Sequence, residues 1–335
     1  MPTTPDSPPR PLRWGILGCA RITRRGLAPG ILASQWGTVF AMASRDVATA
    51  RSWAEEFGAV KAYGDYRALL DDPEVDAVYI PLPNELHRPW VLAAADAGKH
   101  VLCEKPLALD AVEAAAMVEH GRSRGVLLME AFMWRHQPRT AALLTLVREG
   151  GLGRLRLIRS SFSFPIEPGD WRLDPRRGGG ALWDVGCYGV NTCRLFAGAE
   201  PVAVRALRHP HPSGVDLTLT AELAFPGGLI GLVDCSFEAP FRCEYELVGT
   251  SGSIRVPDAY LPPALPTALR FAAGSDAEGA GPEALSFDGA NQYARMIDAF
   301  ACSVAAGTLV PPAEDGLAQM QVLDRVKAAA LDVAD

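Results

Sequence analysis

The sequence predicts an α/β protein in two parts: a parallel, doubly wound sheet first, then a part built on an open, mostly antiparallel sheet. Three observations predict it. Apolar, strand-length runs alternate with helical stretches from Leu12 to Glu130, the order that builds a parallel sheet. After Gln137 the alternation stops, and from Pro201 on strands dominate. One of these, Asp216 to Phe225, puts Leu217, Leu219, Ala221, Leu223 and Phe225 on one face and Thr218, Thr220 and Glu222 on the other. That period of two gives a sheet with one apolar face.

Composition bounds the function. A chain of 335 residues has room for two domains, and 49% hydrophobic with 21% charged residues supports a large core. The net charge of −7, without a long basic run, argues against nucleic acid as a partner. No apolar run is long enough to span a bilayer, so no membrane partner is expected. Pro2, Pro5, Pro8, Pro9 and Pro11 make residues 1–11 a disordered arm, which lacks the apolar core of a secretory signal. The seven cysteines are scattered, odd in number and without a Cys-x-x-Cys pair. They read as reduced thiols of a cytoplasmic protein, with no disulfide framework and no metal site.

In order along the chain, Leu12 to Leu17 is a strand that runs into Gly18-Cys19-Ala20-Arg21-Ile22-Thr23 and then a helix. The three positions of a dinucleotide-binding G-x-G-x-x-G turn are Gly18, Ala20 and Thr23. Small residues there leave room for a phosphate on the helix N-terminus; an ordinary strand-turn-helix explains them as well. Val39 to Ala43 is the second strand, ending in Ser44-Arg45-Asp46. An acid at this point suits NAD, and an arginine suits the 2′-phosphate of NADP. Ser44 and Arg45 come first, so NADP is expected over NAD. Ala50 to Phe57 is helical and ends at Gly58. A short strand and turn follow within Tyr63 to Leu70.

Asp76 to Ile80 is the fourth strand and leads into Pro81-Leu82-Pro83-Asn84-Glu85-Leu86-His87. This loop would lie over a cofactor, with Asn84 and His87 able to bond a nicotinamide ribose or carboxamide. Pro89 to Ala97 is a helix closed by Gly98. The strand His100 to Cys103 ends in Glu104-Lys105-Pro106. Ligands bind at such strand ends in open α/β sheets, and a lysine there can serve as a fixed cation or an acid/base group. Taken alone, Lys105 reads better as a solvated surface lysine; the rest of the chain decides. Asp110 reads as the N-cap of a helix running to about Ser123, and Val126 to Glu130 as the sixth strand.

Gln137 to Arg148 is an amphipathic helix and Leu155 to Phe164 a long strand. Gly178-Gly179-Gly180 then precedes a helix from Ala181 to Phe196 and suits close approach of backbone to a ligand. Asp184, Tyr188 and Asn191 share one face of that helix. Leu229 to Phe237, Phe241 to Val248 and Ser253 to Val256 add strands, Pro257 to Ala290 reads as a long loop, and helices near Gln292 to Ala305 and Gly316 to Ala330 close the chain.

As a set, Gly15 to Ile22, Glu104-Lys105-Pro106, Glu130 to Arg135 and Gly178 to Tyr188 resemble the glucose–fructose oxidoreductase/inositol dehydrogenase (Gfo/Idh/MocA) family. The resemblance implies an N-terminal Rossmann domain, here 12–131, and a C-terminal α/β domain, 132–335, whose last helix can pack back on the first. It implies a homodimer or homotetramer through the C-terminal sheet. Lys105 takes the place of the family's catalytic lysine, and Asp184 and Tyr188 stand where many members have Asp-x-x-x-His. The tyrosine variant and the Trp134-Arg135 pair resemble the branch with NADP-dependent xylose dehydrogenase and dimeric dihydrodiol dehydrogenase. Glu104, Arg135, Trp171 and Arg172 are expected near the cofactor, beside Gly18 to Ile22, Ser44, Arg45, Pro81, Leu82, Asn84 and His87.

The expected function is hydride transfer between NADP and a hydroxyl of a sugar, polyol or cyclic diol, with Tyr188 and Lys105 as the acid/base pair and Asp184 beside them. Phe132, Trp134, Phe164 and Trp171 would suit the apolar ring of a trans-dihydrodiol, but are equally core residues. The competing expectation is a dinucleotide-binding sensor of the same fold without catalysis.

Overall fold

The computed structural model describes residues 10–272 and 282–333, and the chain divides into two compact units: Met1–His136 with Asn291–Met320, and Gln137–Ala290 with Gln321–Asp335. Most of the arm expected over 1–11 lies outside the described residues. Its end does not conform to that expectation: the Arg10 guanidinium is bonded to both carboxylate oxygens of Asp76, at 2.9 and 2.7 Å.

The first unit alternates strands and helices: β1 (Leu12–Leu17), α1 (Ala28–Ala33), β2 (Gly37–Ala43), α2 (Val47–Phe57), β3 (Lys61–Tyr63), α3 (Tyr66–Leu70), β4 (Ala77–Ile80), α4 (His87–Asp96), β5 (His100–Cys103), α5 (Ala111–Ser123) and β6 (Leu128–Glu130). Its sheet has the order β3-β2-β1-β4-β5-β6 and every pair is parallel. Ile16, Leu17, Met42, Val78, Tyr79, Ile80 and Leu102 are fully buried, as strands covered by helices on both faces require. The order reverses between β1 and β4, so the loops after these two strands open at one crevice, the ligand position of such sheets. Start and stop signals act as the sequence indicates. The Asp110 carboxylate accepts the Glu113 N–H at 2.8 Å to cap α5, and Gly58 closes α2 with a φ of 67°.

The second unit holds α6 (Pro138–Arg148), β7 (Leu155–Ser163), α7 (Cys187–Ala197), β8 (Ala203–Pro210), β9 (Asp216–Ala224), β10 (Ile230–Ser236), β11 (Arg242–Gly249), β12 (Gly252–Val256), β13 (Thr267–Ala272) and β14 (Glu283–Ser286). The chain closes with α8 (Gln292–Ala306), α9 (Ala313–Ala329) and β15 (Ala330–Asp332). The second sheet has the order β14-β13-β12-β11-β7-β10-β9-β8-β15. It is antiparallel except where β10 joins β7 and β15 joins β8. The apolar alternation of β9 is realised: Leu219, Ala221 and Leu223 are buried while Thr220 and Glu222 are exposed.

Several expectations change. The stretch 257–290 contains β13 and β14, whose Pro, Ala and Gly neighbours hide the strand signal. The helix expected from Ala181 begins with a π-helical turn, Leu182–Gly186. The unit boundary falls after His136, and residues 291–320 return to the first unit. The reason is burial: Phe300 of α8 lies 5.3 Å from the ring of Trp14, and Tyr293 sits on Gly26 and Gly30, where an added Cβ would come 2.4 Å from its ring and from its own Cβ respectively. Among the described residues no helix is long and apolar enough to cross a membrane.

Candidate functional site

In the first unit, β1 ends in a turn that only glycine begins comfortably. Gly18 has a φ of 121°, and a Cβ there would lie 2.9 Å from Leu82 Cδ2. Its N–H bonds the Ala43 carbonyl at 3.0 Å, tying the turn to the end of β2. Cys19, Ala20 and Ile22 are half-buried and Arg21 is exposed at the start of the following helix. Thr23, at the third fingerprint position, is fully buried and turned inward, its hydroxyl toward the Gly18 carbonyl at 3.5 Å. The loss of two fingerprint glycines therefore leaves the turn open. Burial pushes the Cys19 thiol up to about 11, which leaves it protonated at neutral pH.

At the end of β2, three neighbouring residues separate by role. Asp46 is the N-cap of α2: its carboxylate accepts the N–H groups of Ala48 and Thr49, each at 3.1 Å, and the Thr49 hydroxyl at 2.6 Å. Those bonds, the Thr49 hydroxyl first, hold its pKa below the usual carboxylate range. Ser44 is half-buried, and Arg45 is exposed with no carboxylate partner among the described residues. An unpaired guanidinium beside an open phosphate turn fits a dinucleotide with an extra phosphate.

The loop after β4 and the loop after β5 are tied together. His87 is fully buried. Its Nδ1 faces the Pro106 carbonyl at 2.9 Å and its Nε2 the Leu82 carbonyl at 2.8 Å. Burial, aided by the nearby Lys105 charge, lowers its basicity against the pull of those carbonyls. The expected ribose contact from His87 is therefore corrected: both ring nitrogens face backbone, and the residue braces the loops. Asn84 is buried beside it, while Leu82 stays half-exposed and Pro81 is buried. Lys105 is half-buried, with a cis bond to Pro106. Glu104 accepts the Tyr79 hydroxyl and the Lys105 N–H, and Glu130 accepts the Leu107 N–H at 2.9 Å. Three carboxylate contacts and one imidazole thus hold the Lys105 segment. The Arg135 guanidinium is ion-paired with Asp315 in the same unit.

In the second unit, Tyr188 is buried on α7. Its ring lies 4.8 Å from that of Tyr260 and 5.5 Å from that of Phe162. The Thr192 hydroxyl donates to the Tyr188 carbonyl at 2.8 Å. The Tyr260 hydroxyl in turn meets Thr192 at 2.8 Å and Ser160 at 2.7 Å. Asp184 accepts from Arg172 Nε at 2.7 Å, and Arg172 also reaches both oxygens of Asp170 at 3.2 Å. That pairing holds Arg172 on two carboxylates and makes Asp184 an anchor of the 170–184 segment. Trp171 is half-buried between the guanidinium groups of Arg172 and Arg177, at 5.1 and 5.3 Å.

The glycine run has a different reason from the one its sequence suggests. A Cβ on Gly179 would come 2.2 Å from the Arg172 carbonyl, and one on Gly180 2.4 Å from Asp216 Oδ1. The chain approaches itself there. Sequence reasoning missed Tyr260 because it lies in a stretch without strand periodicity. It missed Glu130 as a brace, although a carboxylate at a parallel strand end was a readable signal.

A family model described as the oxidoreductase family, NAD-binding Rossmann fold, matches residues 12–132, and the GFO/IDH/MocA C-terminal domain matches residues 140–255. The chain is 38% identical over 319 residues to D-xylose 1-dehydrogenase (NADP(+)) 2 of Haloferax volcanii, covering 94% of this chain and 96% of that one. It is 36% identical over 253 residues to trans-1,2-dihydrobenzene-1,2-diol dehydrogenase of Mus musculus, 75% of this chain and 76% of that one. Among solved structures, KijD10, a 3-ketoreductase from Actinomadura kijaniata in complex with NADP and TDP-benzene, superimposes with a TM-score of 0.88 at 35% identity, over 97% of this chain and 99% of that chain. With both domain models matched and relatives spanning nearly its whole length, the chain belongs to the GFO/IDH/MocA family of oxidoreductases.

Proposed function

We propose that this protein is an NADP-dependent oxidoreductase that moves a hydride between the nicotinamide and a hydroxyl of a sugar, polyol or cyclic diol. The observation that carries the cofactor choice is the division of roles after β2. Asp46 is occupied by the α2 N-terminus, while exposed Arg45 has no carboxylate partner among the described residues. Gly18 to Ile22 would hold the pyrophosphate, Ser44 and Arg45 the 2′-phosphate, and Pro81 and Leu82 the far side of the nucleotide. When bound, NADP accepts or returns the hydride.

The protein's own part is the proton. Tyr188 takes it from the substrate hydroxyl in oxidation and gives it back in reduction. A free tyrosine titrates near pH ~10, so a neighbouring cation is needed to favour phenolate at neutral pH. Lys105 is assigned that role. Solved structures of the Actinomadura ketoreductase include a tyrosine-to-phenylalanine variant and a lysine-to-alanine variant, the same two residue types. The xylose, dihydrodiol and keto-sugar names of the relatives support a hydroxylated carbon substrate.

Tyr188→Phe tests this reading. Acid/base catalysis is worth roughly 10²–10⁴-fold, so kcat should fall by that range while NADP affinity, read by fluorescence titration, stays within a factor of about two. Full turnover by the Phe variant would remove Tyr188 from the reaction. Screening NADP and NAD against xylose, glucose, inositol and a cyclic diol names the substrate class. Assembly as a homodimer through the second sheet is part of the same proposal. The sheet surface bears a cavity of about 690 Å³ lined in part by Val204, Leu207, Leu232 and Leu331, of which Leu207 and Leu331 are 50% and 68% exposed. Light scattering on the purified protein tests it.

A further inference from the structure

We infer that Asp216 is a positioning residue for Tyr188: its ionised carboxylate, seated at the head of the helix that carries Asp184 and Tyr188, holds that helix in the register needed for proton transfer. The inference rests on the role proposed for Tyr188. Its support is geometric. Asp216 opens β9, and its Oδ2 accepts the Leu182 N–H at 2.6 Å, a short bond to the first turn of the helix. Leu182 begins the π-helical turn through Gly186 that runs directly into α7. An amide at a helix start otherwise lacks an intrahelical acceptor, and a negative charge is favoured there by the helix dipole. Gly180, with a φ of 115°, clears the approach: any Cβ would sit 2.4 Å from Asp216 Oδ1. The sequence thus accepts a glycine-only position to bring one carboxylate against one helix head.

The carboxylate is costly where it lies. Burial pushes Asp216 up to about 6, against the Leu182 N–H and the charges of Arg208 and Lys327. Arg208 on β8 is occupied by Asp332 and the Gly214 carbonyl. Lys327 on α9 lies over the Trp183 ring at 5.1 Å. Cys235 on β10 is the other titratable group facing it, and burial keeps that thiol protonated. No tight ion pair neutralises Asp216 among the described residues. The sign follows. A carboxyl whose folded pKa is raised destabilises the fold above that pKa, and the penalty disappears as pH falls through 6 toward the ordinary value. A residue kept only for stability would not be built this way.

Asn is the neutral isostere, so Asp216→Asn fixes at every pH the state that wild type reaches only in acid. The expected result has three parts. The variant unfolds at a higher temperature than wild type at pH 8, and the gap narrows steadily as pH falls from 6 toward the ordinary carboxylate value. Its kcat at pH 8 drops about 10-fold, as a small misplacement of a reacting group allows, with NADP affinity unchanged. The acid limb of the wild-type kcat profile near pH 6 is absent from the variant. Wild-type kcat with an unchanged pH profile would overturn the inference. If the variant does not fold, the Leu182 amide resonance of the wild-type protein decides: it should titrate with a midpoint near 6, and no titration between pH 5 and 7 overturns the inference. Tyr188→Phe, run alongside, separates the two readings. An active Phe variant removes the parent proposal, whereas an inactive Phe variant with an indifferent Asn variant removes only this one.

Discussion

Arg172 donates from Nε to Asp184 at 2.7 Å, with both side chains less than one-fifth exposed. Removing Asp184 takes one charge-assisted hydrogen bond from Arg172, which Asp170 still pairs, at a cost of about 2 kcal/mol. Asp184→Ala should therefore lower the unfolding free energy read from urea titration by that amount and reduce activity through the 170–184 segment. A loss of kcat without loss of stability would return Asp184 to the chemistry.

Arg45 and its neighbour Asp46 should behave oppositely. Arg45→Ala is expected to reduce kcat/KM with NADP by about 10-fold or more, as the loss of one charge-assisted phosphate contact implies, and to leave NAD kinetics unchanged. Asp46→Ala should keep the cofactor preference and lower the melting temperature through the lost cap. Equal loss with both cofactors in the Arg45 variant would place the 2′-phosphate elsewhere.

Gly179→Ala should be among the least tolerated single changes. Its Cβ would lie 2.2 Å from a backbone carbonyl rather than from a movable side chain. The expected cost is about 3 kcal/mol or more, read as a loss of soluble protein or a large fall in melting temperature.

His136 supplies a pH dependence. Burial and the adjacent Arg135 charge push its pKa down to about 4. The unfolded chain then binds the proton first, so this contribution is complete above pH ~6.5 and is lost as pH falls toward 4. His136→Gln should flatten the stability curve across that window. Asp216 works in the opposite sense near pH 6, so the double variant with Asp216→Asn separates the two slopes.

Much of the first unit was legible because its central strands are buried on both faces and several of its helices have a punctuating residue. Asp110, Gly58 and Gly98 mark helix ends in the sequence and do so in the structure. What could not be read was chemistry decided by distant partners. Arg135 and Arg172 look like free cations until Asp315, Asp170 and Asp184 are brought to them. The strands β13 and β14 escaped notice because their pairing depends on β12 rather than on an alternating pattern of their own. The three residues of β15 follow α9 without a helix breaker, so only pairing with β8 reveals them. His87 shows the same limit from the other side: its place in a cofactor loop was readable, but its two carbonyl partners were not.

The glycine pair under Tyr293 has a consequence for synthesis. Gly26 and Gly30 leave a hollow that is filled by a residue translated long after the Met1–His136 part of that unit. Translation runs at about 5–20 residues per second, so the emerging nucleotide-binding segment waits roughly ten to thirty seconds for α8. During that interval Trp14, Gly26 and Gly30 lack their covers. A growing chain of this protein thus carries these apolar positions uncovered until its last fifth has left the ribosome.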